Sequence, residues 1–157
     1  MLLEGSCHCG TVKFSVESHT PQPYMRCYCS ICRKTAGGGY AINIMGDSAT
    51  LKVEGEDDVS VYRVKMADGA ESPVHRHFCR QRGSALWGFD PRWSHWAYPF
   101  ASAIDTPLPT SPERVHLLLN SAAPWVQVPE GPGETRFDEF PEESIEDWHK
   151  RRGLWVD

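Results

Sequence analysis

The sequence has no long apolar run, no surplus of positive charge and no internal repeat of useful length. No segment approaches the roughly 20 apolar residues that a membrane-spanning helix requires, which argues against a membrane protein. The start, MLLEGSCHCG, lacks a basic region leading into an apolar stretch, and so lacks the mark of a secretory leader. Acidic residues outnumber Lys and Arg by 21 to 16, a formal charge of −5. A general nucleic-acid binder needs the opposite surplus on one face, so that class is set aside. Helical periodicity is scarce too: before residue 140 no apolar pattern of period 3.6 survives two turns. We therefore expect a soluble, cytoplasmic protein with no membrane or nucleic-acid partner. At 157 residues it is one domain, spanning 1–157, and needs no staples to fold.

What is present is short and alternating. Val12, Phe14 and Val16 in TVKFSV share one face of a strand, as do Tyr40, Ile42 and Ile44 in YAINI. TLKV, VSVYRVKM, VHRHF, SALW and RVHLLLN are further strands, divided by turn formers such as EGEDD and ADGAESP. The fold class this predicts is mainly β, with packed antiparallel sheets and with cysteines carried on loops. One short C-terminal helix is expected in PEESIEDWHKRRG. There Pro141 suits a first helical position, Glu142 and Glu143 the positive end, Lys150 to Arg152 the negative end, and Gly153 the stop. Ile145 and Trp148 would pin it to the sheet. LWGFDPRWSHWAYPF holds six aromatics between Trp87 and Phe100, read as core rather than as pocket lining.

Six cysteines fall in three short clusters: Cys7 and Cys9, then Cys27, Cys29 and Cys32, then Cys79. In a reducing compartment such clusters are metal ligands more often than disulfides. Cys7 and Cys9, two apart, can offer both sulfurs to one ion, which a distant cysteine would help to enclose. Zn²⁺ is the expected ion, since all-thiolate sites suit it; an iron–sulfur cluster ranks below. The triad Cys27, Cys29, Cys32 leaves a fourth position open, and open positions are where catalysis happens. Three thiolates blunt a metal as a Lewis acid but keep a bound sulfur nucleophilic, which favours thiol chemistry. A purely structural loop or a redox pair are the other readings of that triad.

GSCHCGTVKF, CYCSICRKTAGG and FCRQRGSALW, with the ending SIEDWHKRRGLWVD, resemble the glutathione-dependent formaldehyde-activating enzyme family, which also contains centromere protein V. The resemblance implies a β-tent-like zinc-binding fold with two metal sites. It places Cys7, Cys9 and Cys79 in a structural site and makes Cys27, Cys29 and Cys32 the catalytic one. It further implies a carbon–sulfur lyase in which glutathione, or a similar small thiol, adds to formaldehyde or another small aldehyde to give S-hydroxymethylglutathione. Arg33 or Lys34 would pair with one glutathione carboxylate, and amides of Gly37, Gly38 and Gly39 would cradle the other, although a plain turn explains those glycines as well. The alternative is a non-catalytic zinc module that holds a protein partner through the aromatic stretch. One position departs from the family pattern: its second cysteine after FC is Arg82 here, and a guanidinium cannot ligate zinc. His77 or water would then complete the site, or Arg82 would serve as counter-charge to an empty one, and these alternatives stay open.

Overall fold

The alternation in the sequence translates directly into burial. Val12, Phe14 and Val16 are buried while Lys13 and Glu17 face solvent. A computed structural model describes the whole chain, residues 1–157. Its strands are β1 (Leu2–Ser6), β2 (Lys13–Glu17), β3 (Met25–Cys27), β4 (Ala41–Ile42), β5 (Gly46–Asp47) and β6 (Lys52–Glu54), followed by β7 (Val59–Tyr62), β8 (His75–Cys79), β9 (Ala85–Phe89), β10 (Trp96–Pro99), β11 (Arg114–Leu117) and β12 (Glu134–Arg136). Two helices, α1 (Ser30–Ala36) and α2 (Ile145–Arg151), complete the regular structure. No helix is long and apolar enough to cross a membrane.

The strands form three sheets, ordered β1-β2-β6, β5-β10-β9-β8-β7 and β12-β11-β3-β4. The first two are antiparallel throughout. The third is mixed, because β11 runs parallel to both β3 and β12 and only the β3–β4 pair is antiparallel. The mainly β class with a short C-terminal helix is thus as expected, and one sheet departs from the antiparallel rule. Parallel neighbours need long connections, and the Pro-rich segments before β11 and between β11 and β12 supply them.

Two apolar clusters enclose the cysteines. Cys7, Val12, Phe14, Cys79, Leu86, Trp87 and Ala103 pack together between the first and second sheets. Cys27 and Cys32 pack with Ala41, Phe100 and Leu117 where the third sheet meets the second. At Gly5 a Cβ would stand 2.4 Å from the Ala103 carbonyl oxygen and from the Phe14 ring, so only glycine allows β1 to approach this closely.

Three local expectations need revision. The Cys27–Cys32 segment is not a bare loop: it leaves a strand and enters α1, a helix too short to show a period. β1 was not visible because its apolar positions, Leu3 apart, are filled by Gly5 and an exposed Leu2. Helix α2 begins at Ile145 rather than Pro141, because the Ser144 hydroxyl accepts from the Asp147 amide at 3.0 Å and caps the helix there. Trp148 in that helix is 1% exposed and stacks on Tyr24 with ring centroids 3.7 Å apart. Of the aromatic stretch, Trp87 and Phe100 are core, whereas Trp93 is 61% exposed.

Candidate metal centres

All six cysteines are free, and they gather into two groups of three, each with its sulfurs within 4.8 Å of one another. The first group comes from a single turn of chain. Cys27 ends β3, Cys29 is the residue that caps α1, and Cys32 lies inside the helix. The cap explains the spacing. The Cys29 sulfur accepts from the Cys32 amide at 3.3 Å, so one side chain both starts the helix and aligns a second sulfur with itself. Hydrogen bonds from the Cys27 and Cys32 thiols hold Cys29 down to about 2. The same bonds, to Cys29 first and then Cys32, push Cys27 far up together with burial. Among the three, Cys29 is thus the sulfur whose charged form its neighbours favour most. Cys32 ends at about 11: its bond with Cys27 lowers it, its bond with Cys29 and its burial raise it, and the Arg76 guanidinium favours its charged form.

Tyr28 stands between two of these cysteines and is fully buried. Its amide donates to the Leu117 carbonyl at 3.0 Å, extending the β3–β11 pairing by one residue. Its hydroxyl meets His116 Nδ1 at 2.8 Å, and His116 Nε2 meets Glu134 Oε2 at 2.7 Å. Glu134 is in turn bound by Arg114. The Arg114 bond first, and the His116 bond second, hold the Glu134 carboxyl down to about 2. A polar chain across β3, β11 and β12 thus fixes the backbone that presents Cys27 and Cys29. In the sequence its one trace is a histidine set in the apolar run RVHLLLN.

The second group is assembled across the molecule. Cys7 and Cys9 sit in the turn between β1 and β2, and Cys79 ends β8. The sulfurs of Cys7 and Cys9 are 3.4 Å apart, and those of Cys9 and Cys79 are 3.7 Å apart. A tetrahedral ion with bonds of about 2.3 Å to sulfur needs ligands roughly 3.8 Å apart, so both groups suit a soft, tetrahedral metal in donor type and in spacing. The Val12 amide donates to the Cys7 sulfur at 3.2 Å. Burial raises Cys79, and the Arg82 and Gln81 amides, which point at its sulfur, oppose that. The exposed Cys9 is lowered to about 6, chiefly by hydrogen bonds from Thr11.

The fourth position of the second group is supplied by neither side chain weighed for it. His77 is outside the group: its ring stacks on Trp87 at 4.8 Å and its Nδ1 is buried without a partner. Arg82 is exposed, and its guanidinium donates to the Gln81 carbonyl at 3.0 Å instead of facing the sulfurs.

The other residues singled out in the sequence lie near the first group. Arg33 and Lys34 form the last turn of α1, and Gly37 is its C-cap. Gly37, Gly38 and Gly39 all have left-handed φ, of 77°, 72° and 93°. The Gly37 amide already donates to the Arg33 carbonyl at 3.1 Å, leaving the Gly38 amide as the free donor of the pair. Sequence reasoning missed Arg76, which reaches the first group from β8. A cavity of about 320 Å³ opens there, between α1 and the β7–β8–β9 edge. A larger one, of about 520 Å³, lies under α2; no cysteine lines either cavity.

Comparison with known proteins places this geometry. Residues 2–117 match the family described as glutathione-dependent formaldehyde-activating enzyme. A Halomonas elongata protein, named a putative glutathione-dependent formaldehyde-activating enzyme, is 56% identical over 155 residues and covers 98% of each chain. Among solved structures, that of a Rhodobacter sphaeroides protein aligns with a TM-score of 0.54 and 23% identity, covering 68% of this chain and 91% of that one, a likeness of fold.

Proposed function

This chain belongs to the glutathione-dependent formaldehyde-activating enzyme family, and from that premise we propose that it adds the thiolate of glutathione, or of a similar small thiol, to formaldehyde or a small aldehyde. The product is S-hydroxymethylglutathione or its analogue, and the enzyme is of the carbon–sulfur lyase type. The observation that carries this reading is the first triad: three sulfurs from one turn of chain, gathered within 4.8 Å of one another beside the cations of α1 and near a cavity. Cys27, Cys29 and Cys32 are the residues that would hold Zn²⁺. The chemistry such an ion supplies is to keep a thiol as thiolate near neutral pH.

The chain's own residues do the rest. Cys29, fixed as the helix cap, sets the geometry of the triad, and the Tyr28–His116–Glu134 chain holds the backbone on either side. Arg33 and Lys34 offer charge to a carboxylate of the thiol, and the Gly38 amide offers a further donor. In the addition the sulfur lone pair forms a bond to the carbonyl carbon, the carbonyl π electrons move to oxygen, and the alkoxide takes a proton from water. The Cys7, Cys9 and Cys79 group is the structural centre, embedded in the core. The other reading, a zinc module docking a protein, draws on the exposed Trp93 alone.

The test is magnetisation-transfer NMR of formaldehyde and glutathione at equilibrium, which reads the rate of adduct exchange with and without enzyme. We expect the wild-type protein to accelerate exchange and Cys29→Ser to lose both the acceleration and one metal per chain. Unchanged exchange with unchanged metal content in Cys29→Ser would remove the catalytic assignment.

A further inference from the structure

Strand β8 contributes to both regions. Cys79 joins Cys7 in the core, and His77 stacks on Trp87. A β-bulge between His77 and Phe78 interrupts the alternation, and Arg76, His77 and Phe78 all line the cavity of about 320 Å³ beside α1. That size falls in the range of small-molecule pockets, roughly 300–1,000 Å³. Tyr62, Phe78, Ala85 and Phe100 supply apolar walls, and Phe100 and Ala85 also pack against the Cys27, Cys29 and Cys32 cluster. The cavity thus shares two wall residues with the thiol site, and the cysteines lie behind that wall.

Its charge is one-sided. Lys34 and Arg76 line it and no carboxylate does. Both cations are free of ion pairs, although eight other Lys and Arg side chains are paired with carboxylates. In a chain with 21 acidic residues against 16 basic ones, a carboxylate-free cationic pocket is a departure from the average surface. Arg76 Nε is buried and has no hydrogen-bond partner. Leaving a guanidinium N–H desolvated and unpaired is costly, and an incoming carboxylate, bound through two parallel N–H bonds, would offset the cost.

We propose that Arg76, with Lys34, forms an anion pocket that binds a carboxylate of the thiol substrate and so selects carboxylate-bearing thiols over neutral ones. This rests on the thiol-addition reading for the choice of ligand, while the pocket itself stands on its walls and its unpaired cations. A carboxylate held by Arg76, on the β8 side, approaches from across the cavity, opposite the amides that follow α1. The ligand is therefore spanned between β8 and α1 with its sulfur end toward the triad.

The test uses two probes on the metal-loaded protein. S-methylglutathione keeps both carboxylates but has no free thiol; glutathione diethyl ester keeps the thiol but masks the carboxylates. By calorimetry we expect S-methylglutathione to bind wild type, to weaken at least tenfold in Arg76→Gln, and to recover in part in Arg76→Lys. Inorganic phosphate at equal concentration should compete poorly, because it lacks the apolar body that the aromatic walls accept. Equal binding to wild type and Arg76→Gln, no binding to wild type, or full displacement by phosphate would each overturn the proposal. The diester tests the other reading separately: on Co²⁺-loaded protein its thiol should alter the visible spectrum in wild type and Arg76→Gln alike. A silent diester alongside Arg76-dependent S-methylglutathione binding would keep the pocket and remove the thiol chemistry. An active diester with Arg76-independent binding would do the reverse.

Discussion

The two cysteine groups hold three sulfurs each, at similar spacing, and are built in opposite ways. Cys27, Cys29 and Cys32 lie on one strand end and one helix turn, against a cavity. Cys7, Cys9 and Cys79 come from two sheets; Cys7 and Cys79 pack with Val12, Phe14, Leu86 and Trp87 in a shared core, and Cys9 is exposed. The first arrangement leaves its geometry to a local cap, with Cys27 and Cys32 buried and Cys29 half-buried. The second ties its geometry to the packing of the domain. On the proposed function, a metal at the first would take part in chemistry and one at the second would serve the fold. Equal ligand counts conceal this; the elements that supply the ligands reveal it.

The strongest way to break the contrast is to loosen the support of the local site from behind. Trp148 stacks on Tyr24, which leads into β3 and so into Cys27, and the Arg152 guanidinium lies 4.3 Å from the Trp148 ring centroid. We predict that Trp148→Ala destabilises the protein by about 3–5 kcal/mol. Chemical denaturation measures the loss, and metal release on partial unfolding should come first from the Cys27 group. A melting temperature within a degree or two of wild type would show α2 to be peripheral.

Closing the distant site sharpens the contrast from the other direction. The Arg82 amide points at the Cys79 sulfur, so the backbone at position 82 is already aimed at the centre while its side chain is not. Arg82→Cys should supply the fourth thiolate. At zinc a hundredfold above the dissociation constant the gain is about 2.7 kcal/mol, and chelator should abolish it. A variant that gains neither zinc nor stability would mean that the backbone there cannot deliver a ligand.

A smaller effect separates the two roles of Cys29. Serine caps helices well, so Cys29→Ser should lose metal yet keep α1, whereas Cys29→Ala should lose metal and a further ~1 kcal/mol of stability. Equal stability of the two variants without metal would show that the sulfur does not cap the helix.

The mildest change concerns the polar chain behind the local site. The Glu134 carboxyl is lowered from 4.5 to about 2 in the folded chain. A depressed carboxyl stabilises the fold above its unfolded value and loses that contribution as pH falls toward its folded value. Stability should therefore drop between about pH 4.5 and 2, and Glu134→Gln should flatten that slope while leaving the alkaline side unchanged. An identical acid slope in the variant would assign the loss to other carboxylates.

Much of this was legible in the sequence, and the limits have physical causes. A strand such as β2, with apolar residues at alternate positions, announces itself because burial on one face imposes a period of two. The membership of the two cysteine groups is what the family resemblance implies; spacing alone leaves the distant partner of Cys7 and Cys9 unnamed, and the structure brings Cys79 to them. What could not be read depended on partners far along the chain. The chain Tyr28–His116–Glu134 joins residues 88 and 18 positions apart, and no local pattern marks it. Arg76 lies three residues before Cys79 in sequence, and only the pairing of β8 with β7 and β9 brings it to the cavity beside α1. Helix α1 stayed hidden for a different reason: its cap is a cysteine, and cysteine is not among the residues that signal a helix start.

The separation of the ligands along the chain also bears on the order in which the protein acquires its metals. Cys9 and Cys79 are 70 residues apart, whereas Cys27, Cys29 and Cys32 close a loop of a few residues. By the logarithmic dependence of loop closure on length, bringing the distant pair together costs about 2 kcal/mol more in chain entropy. An unfolded chain can thus capture an ion at Cys27–Cys32 well before Cys79 finds Cys7 and Cys9. Affinity for the unfolded chain subtracts from any stability that the ion confers on the folded one. During refolding with limiting metal, the local triad would fill first and contribute least to driving the fold, and the distant triad would fill last, as the step that commits the first two sheets to each other.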